Sequence, residues 1–265
     1  MTVLETEDLT KRFGKFVAVD RLSIRVEGGE VFGLLGANGA GKSVTMKMLT
    51  TLLPPSSGGA RIVGLDVRTR AADVRRVIGY VPQMISADGA LTGYENLLIF
   101  AKLYDIPRRE RGDRIHGALA FMDLDEVAHK LVRDYSGGMI RRLEIAQSML
   151  HRPAVLFLDE PTIGLDPVAR AAVWDHVERL RREYGVTIIL TTHLMEEVEG
   201  LCGRVAILHR GRVMAVGAPD ALKAKVGGGD TTMDEVFAHY AEGAIEDGGG
   251  YRDTIRTRRT ARRLG

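Results

Sequence analysis

Residues 36–43, Gly36-Ala37-Asn38-Gly39-Ala40-Gly41-Lys42-Ser43, fit the spacing G-x-x-x-x-G-K-[ST] without a gap. The chemistry such a string can do is phosphate binding. Glycines let a loop turn its N–H groups inward, and a helix opening at its end points its positive dipole at the same place. Lys42 would reach the β and γ phosphates, and the Ser43 hydroxyl would ligate Mg²⁺. The bland alternative is a glycine-rich turn with a surface lysine, and the flanking sequence argues against it. Val31 to Leu35 is a short continuous apolar run closed by glycine, which predicts a buried strand, and Val44 to Leu53 predicts a helix. The ligand implied is a nucleoside triphosphate.

Other residues are placed to complete a reaction on that ligand. Val155-Leu156-Phe157-Leu158 leads into Asp159-Glu160-Pro161, an apolar strand ending in carboxylates. An Asp in that position is what P-loop proteins use to hold Mg²⁺, and Glu160 beside it could polarise an attacking water as a general base. Val186 to Leu190 predicts a further buried strand, with His193 just past its end, where parallel sheets place ligands. Ser136 is a good helix N-cap, and Gly137-Gly138 after it weaken a helix but leave amides open to an anion. Gln83 follows Pro82 at the end of a predicted strand, Val77 to Val81. Phe13, in the turn Lys11 to Phe16, could stack on an adenine ring or pack a sheet edge.

The elements that must position these residues can be read in outline. Residues 2–26 predict strands, with period-two alternation over Leu22 to Val26. Pro54 to Gly59 reads as a turn cluster and Ala60 to Val63 as a strand. Helical periods dominate residues 94–150, and the charged Arg108 to Arg111 reads as a solvated surface connection. Val173, Val177 and Leu180 line one face of a helix after the Gly164-Leu165-Asp166-Pro167 turn, and Trp174 reads as packing. Arg204–Leu208 and Arg212–Val216 flank Gly211 as a hairpin. Ala218 to Lys225 and Met233 to Tyr240 predict two last helices, separated by Gly227 to Gly229.

Bulk composition bounds the class. The chain has 265 residues, 45% hydrophobic and 27% charged, ordinary values for a globular protein with a sizeable core. No apolar stretch approaches a membrane span, and the acidic amino terminus does not read as a secretory signal. The lone Cys202 excludes an internal disulfide, fits a reducing cytosol, and reads as a small buried apolar side chain. The formal charge of +2 comes from six arginines within residues 251–265; without that segment 31 basic residues face 34 acidic ones. A slightly acidic body gives no argument for nucleic-acid binding.

Taken together, GANGAGKS at 36–43, Gln83, Tyr135-Ser136-Gly137-Gly138, LFLDEPT at 156–162, Gly164-Leu165-Asp166 and His193 make the chain resemble the ATP-binding subunits of ABC transporters over residues 2–240. Tyr135 to Met139, Ala90 to Leu97 and Met233 to Phe237 look most like the daunorubicin-resistance-type exporter branch. The resemblance implies an α/β P-loop fold with an antiparallel β portion and a helical subdomain at about 86–150. Residues 241–265 are left as a Gly-rich linker and an Arg-rich, disordered tail. It also implies roles. Residues 36–44 hold ATP, with Lys42 catalytic; Ser43, Gln83 and Asp159 serve Mg²⁺. Gln83 also senses the attacking water, Glu160 is the base, His193 contacts the γ-phosphate, and Phe13 stacks on adenine. Ser136, Gly137 and Gly138 close over ATP held by a second copy or a homologous ATPase subunit. A separate integral-membrane permease is the implied partner, which places the chain peripherally on the cytoplasmic face of the membrane.

Three positions depart from the family pattern: Val44 lacks the usual hydroxyl for the α-phosphate, Ala37 replaces proline, and Met139 stands where glutamine is commonest. One lost hydrogen bond at Val44 costs about 1 kcal/mol of affinity. The competing class is a soluble ABC-type ATPase acting on ribosomes or DNA. One cassette, no sustained heptads and an acidic body do not favour it.

Overall fold

A computed structural model describes residues 1–228 and 230–242 of the chain. The arginines of the predicted tail, from Arg252 on, lie outside the described residues. The strands form two sheets. The first is antiparallel and mixed in length: β1 (Thr2–Phe13), β2 (Phe16–Leu22), β3 (Arg25–Glu27), β5 (Ser57–Ile62) and β6 (Leu65–Asp66). One edge of β1 is shared, with β2 along Leu9 to Phe13 and β3 along Thr2 to Glu5, while the other edge pairs with β5. The second sheet holds β4 (Val31–Leu35), β7 (Ile78–Val81), β8 (Val155–Asp159), β9 (Thr187–Thr192), β10 (Arg204–His209) and β11 (Arg212–Gly217), in the order β11-β10-β4-β9-β8-β7. All its pairs are parallel except the β10–β11 hairpin.

Helices cover both faces of the parallel sheet. They are α1 (Lys42–Leu49), α2 (Ala71–Val77), α3 (Gly93–Leu103), α4 (Arg108–Phe121), α5 (Gly137–Met149), α6 (Pro167–Tyr184), α7 (Met195–Leu201), α8 (Pro219–Val226) and α9 (Met233–Glu242). The period of two along a strand divides its side chains between two cores. Leu156 and Leu158 of β8 face one core with α3 to α6, whereas Val155 and Phe157 face the other, with α1, α2 and the antiparallel sheet. Val31 and Leu35 against Phe32 and Leu34 divide in the same way on β4. Burial on both faces is why these strands read as continuous apolar runs.

Four expectations need correction. The strand predicted over Leu22 to Val26 is broken at Ser23-Ile24, where the Thr6 hydroxyl donates to the Leu22 carbonyl and accepts from the Ile24 amide while the Thr6 N–H keeps its bond to the Ile24 carbonyl. Arg108 to Arg111 is the first turn of α4, stabilised by the Arg114–Glu110 ion pair at 2.8 Å, and is not a connection. α2, which no expectation covers, has one buried residue, Val74, too little to show as a period. The predicted turn at residues 54–59 gives way to β5 at Ser57, and the helix predicted to run to Leu53 ends at Leu49. Trp174 packs on the core, and its indole N–H donates to Glu197 at 3.1 Å. Cys202 is buried, which pushes its thiol pKa well up.

Phe157 is fully buried between the sheets. Phe157→Ala is expected to lower the unfolding free energy by about 3–5 kcal/mol, measured by urea denaturation followed by circular dichroism; a loss below about 1 kcal/mol contradicts this packing.

Candidate active site

β4, β9 and β8 are parallel neighbours whose carboxyl ends are level. Leu35 is in register with Thr192, and Asp159 with Thr191. The phosphate loop after β4, the Asp159-Glu160 pair after β8 and His193 after β9 therefore leave one edge of the sheet, beside the point where β4 leads on toward β7 and its neighbour β9 leads the other way, to β10. The loop is held from several sides. Gly36 N–H donates to the Thr192 carbonyl at 3.2 Å, and Gly211 N–H, in the β10–β11 turn, donates to Ala40 O at 3.0 Å. Gly41 has φ +101°, and a Cβ there would stand 2.7 Å from Ala18 O of β2. Only glycine meets both demands. Gly41 is also the N-cap of α1, with no side-chain cap and no acid in the first turn, so the helix N-terminus offers its amides outward.

Behind the loop lies a buried polar cluster. Lys42 is 4% exposed; its Nζ donates to Gly36 O at 2.6 Å and Ala37 O at 3.3 Å, and pairs with Glu160 Oε1 at 3.2 Å. Ser43 Oγ donates to Asp159 Oδ1 at 3.2 Å. Thr191 Oγ1 donates to the same oxygen at 2.5 Å and accepts from Glu160 N–H at 2.9 Å. Glu160 has φ +49°, the left-handed region that a non-glycine residue occupies at a cost. Glu160 Oε2 and His193 Nδ1 stand 3.2 Å apart, yet both are buried without a hydrogen bond among the described residues. The Tyr80 phenol is pushed up to about 12, first by burial and then by the Asp159 charge.

The remaining predicted residues are placed less tightly. Val81 is in register with Leu158, so Gln83 leaves the sheet on the same edge as Glu160; it is exposed, and its carbonyl accepts from Arg141 at 3.1 Å. Phe13 is 49% exposed at the end of β1, packed on neither core, with Lys11 Nζ 5.3 Å from its ring centre. Val44, where a hydroxyl was expected from the family, packs on the core beneath the antiparallel sheet. Ser136 caps α5, accepting from Met139 N–H at 3.3 Å. Gly138 lies so close to α6 that a Cβ would meet that of Ala169 at 2.9 Å. Ser136 and Gly137 are exposed, and no hydrogen bond joins residues 136–138 to 36–44 among the described residues.

The residues fit a magnesium–triphosphate ligand. Among the described residues no group of three His, Cys, Asp or Glu could hold a metal alone. Mg²⁺ needs no such cage, since it takes one or two protein oxygens and completes its shell with water and phosphate. Ser43 and Asp159 could supply those oxygens, and the uncapped amides at the start of α1 could supply the anion cradle. A cavity of about 590 Å³ lies elsewhere, on the antiparallel sheet, and none of the candidate residues lines it. Across its floor Arg25, Glu5, Arg61 and Asp66 alternate in register and answer one another's charge. Thr191 lies just past the strand predicted over Val186 to Leu190 and is not among the predicted site residues; its polar side chain at the close of an apolar run is the available signal.

A phosphate loop at this edge of a two-sheet α/β fold defines a P-loop nucleotide-binding protein. Comparison narrows the class. The model of the family described as "ABC transporter" matches residues 19–163. The "Daunorubicin resistance ATP-binding protein DrrA3" of Streptomyces coeruleorubidus is 44% identical over 227 residues, 86% of this chain and 72% of that one. The "Probable multidrug ABC transporter ATP-binding protein YbhF" of Escherichia coli strain K12 is 41% identical over 239 residues, 89% of this chain but 41% of that protein. The chain thus spans about two fifths of that relative. A solved structure titled "Structure of ATP binding subunit of ABC transporter" superposes with a TM-score of 0.80 at 29% identity, covering 90% of this chain and 99% of that one. The chain belongs to the ABC transporter family, and its fold is that of the family's ATPase domain.

The double role of the Thr191 hydroxyl gives a test. Thr191→Val removes one acceptor for Glu160 N–H and one donor to Asp159, and is expected to cost about 1–3 kcal/mol of stability. Thr191→Ser restores most of it. Urea denaturation of the two variants measures the difference, and equal stabilities would remove the hydroxyl from the account.

Proposed function

We propose that the protein binds MgATP and hydrolyses it, driving a separate integral-membrane permease as the ATP-binding subunit of an exporter. The observation that carries the proposal is Glu160: buried, strained, one carboxylate oxygen engaged by Lys42 and the other without a hydrogen bond. A carboxylate held this way has an oxygen ready for a proton. Lys42 and the uncapped amides where the 36–43 loop opens α1 orient the β and γ phosphates, with Val44 contributing no hydroxyl. Glu160 accepts a proton from water as the water oxygen bonds to the γ-phosphorus. The bond from that phosphorus to the bridging oxygen breaks, and ADP leaves with the electron pair. His193, beside Glu160, contacts the γ-phosphate, and Gln83 is placed to sense both metal and water. Mg²⁺, held through Ser43 and Asp159 with Gln83, would offset the phosphate charge. The half-exposed ring of Phe13 is available to stack on adenine.

Ser136, Gly137 and Gly138 serve a second subunit's ATP in this reading. The exposure of Ser136 and Gly137, and the lack of hydrogen bonds from residues 136–138 to the chain's own phosphate loop among the described residues, support it. The permease is inferred from the family, since no helix of the described residues is long and apolar enough to cross a membrane. It sets the protein on the cytoplasmic face, peripheral through that partner. Export of a drug-like or lipid-like substrate rests on the drug-resistance and multidrug names of the two relatives. A role on ribosomes or DNA has no observation in its favour.

Glu160→Gln is expected to bind ATP with near-native affinity while phosphate release falls on the order of 100-fold or more. Equilibrium binding and a phosphate-release assay measure the two, and hydrolysis at the wild-type rate sinks the base assignment. Purification of the tagged chain in gentle detergent, with mass spectrometry of what accompanies it, tests the partner. A stoichiometric polytopic membrane protein supports the transporter reading; ribosomal proteins or DNA in its place overturn it.

A further inference from the structure

One buried charged pair lies outside this chemistry. Arg141 and Glu144, one turn apart on α5, are 6% and 1% exposed, and residues of these types are almost never buried unless paired. Arg141 Nη1 donates to Glu144 Oε2 at 3.0 Å and to Pro82 O at 2.8 Å, and its Nη2 donates to Gln83 O at 3.1 Å. Glu144 Oε1 accepts from Ser86 N–H at 2.5 Å and from Ser86 Oγ at 2.9 Å. Further along α5, Gln147 donates to Asn96 Oδ1 at 3.3 Å, and Asn96 in turn binds both the N–H and the carbonyl of Asp88. Ser148 donates to Tyr80 O at 3.1 Å. One face of α5 therefore follows the chain from Tyr80 to Asp88 and holds its backbone.

Burying an ion pair adds little net stability compared with an apolar pair of the same size. What this pair supplies is geometry. It pins the carbonyl of Gln83 and leaves the Gln83 side chain exposed, without a hydrogen bond among the described residues. The same helix opens with Ser136-Gly137-Gly138. We propose that Arg141 and Glu144 are positioning residues that clamp residues 82–86 to α5, so that Gln83 and the Ser136–Gly138 segment move as one body. The inference rests on the roles proposed above for Gln83 and for residues 136–138. It adds the residues that tie the two together: Arg141 and Glu144 hold the backbone at Pro82, Gln83 and Ser86 to the helix that Ser136 caps.

Hydrogen exchange of the full chain tests the clamp directly, and ATP hydrolysis tests its consequence. In the paired substitution Arg141→Met with Glu144→Leu, amides of residues 83–88 are expected to exchange on the order of 10-fold faster, with those of α5 unchanged. kcat is expected to fall on the order of 10- to 100-fold, with the KM for ATP moving less than about threefold. Glu144→Gln, which still accepts from Ser86, should keep protection near Ser86. Adding Gln83→Ala to the pair should lower kcat no further than the slower parent, because both act through one residue. Unchanged exchange at 83–88, or losses that multiply, overturn the clamp. If Gln83→Ala alone turns over at the wild-type rate, the reading of Gln83 fails, and exchange at 83–88 still decides the clamp. Should the paired variant not fold, Arg141→Lys carries the same comparison, because an ammonium lacks the fork that spans the Pro82 and Gln83 carbonyls.

Discussion

Three parallel strands ending at one level are the constraint on which this protein's chemistry depends. β4, β9 and β8 bury both faces, and alternate residues of each enter different cores. A slip of one residue would exchange the two sets of side chains and would carry Asp159 away from Thr191 and Ser43. Packing that runs the length of the sheet thus sets contacts of about 3 Å at its edge. The phosphate loop inherits the same precision, because Gly36 bonds to the end of β9 and Ala40 to the β10–β11 turn.

Against that rigid edge the site holds features that a stable turn would avoid. Glu160 sits in the left-handed region, worth about 1–3 kcal/mol of strain, and Thr191 secures it by accepting its amide. α1 begins without a side-chain cap, leaving amides that a neighbouring hydroxyl or carboxylate would otherwise occupy. Local stability is given up at positions where an anion or a water can use what is left open. The surrounding cores are what make that tolerable.

The polar face of α5 extends this logic away from the sheet. Buried guanidinium, carboxylate and amide groups take up the backbone polar groups of a loop that would otherwise be unsatisfied. Such a network holds the loop in one shape without covering it. Gln83 can then be fixed in position and still be free at its amide.

Local signals were legible wherever a residue's role needs only its neighbours. The phosphate-loop spacing, the apolar strands, the Ser136 cap, the hairpin about Gly211 and the helix face of Val173, Val177 and Leu180 all read from short stretches, because spacing and period are properties of the chain itself. The break at Ser23-Ile24 was not legible, since the hydroxyl that meets it lies on Thr6. Nor was α4's start at Arg108, where charges that read as solvated belong to a helix, nor the roles of Thr191, Arg141 and Glu144. The sequence by itself determined which groups are available to the proposed phosphate, metal and water, and the strand or helix that carries each. Only the tertiary structure decided that those groups meet, which oxygen of Glu160 stays free, and what holds Gln83. Those contacts join residues from tens of positions to more than a hundred apart, and strand register and core packing, not local propensity, bring such residues together.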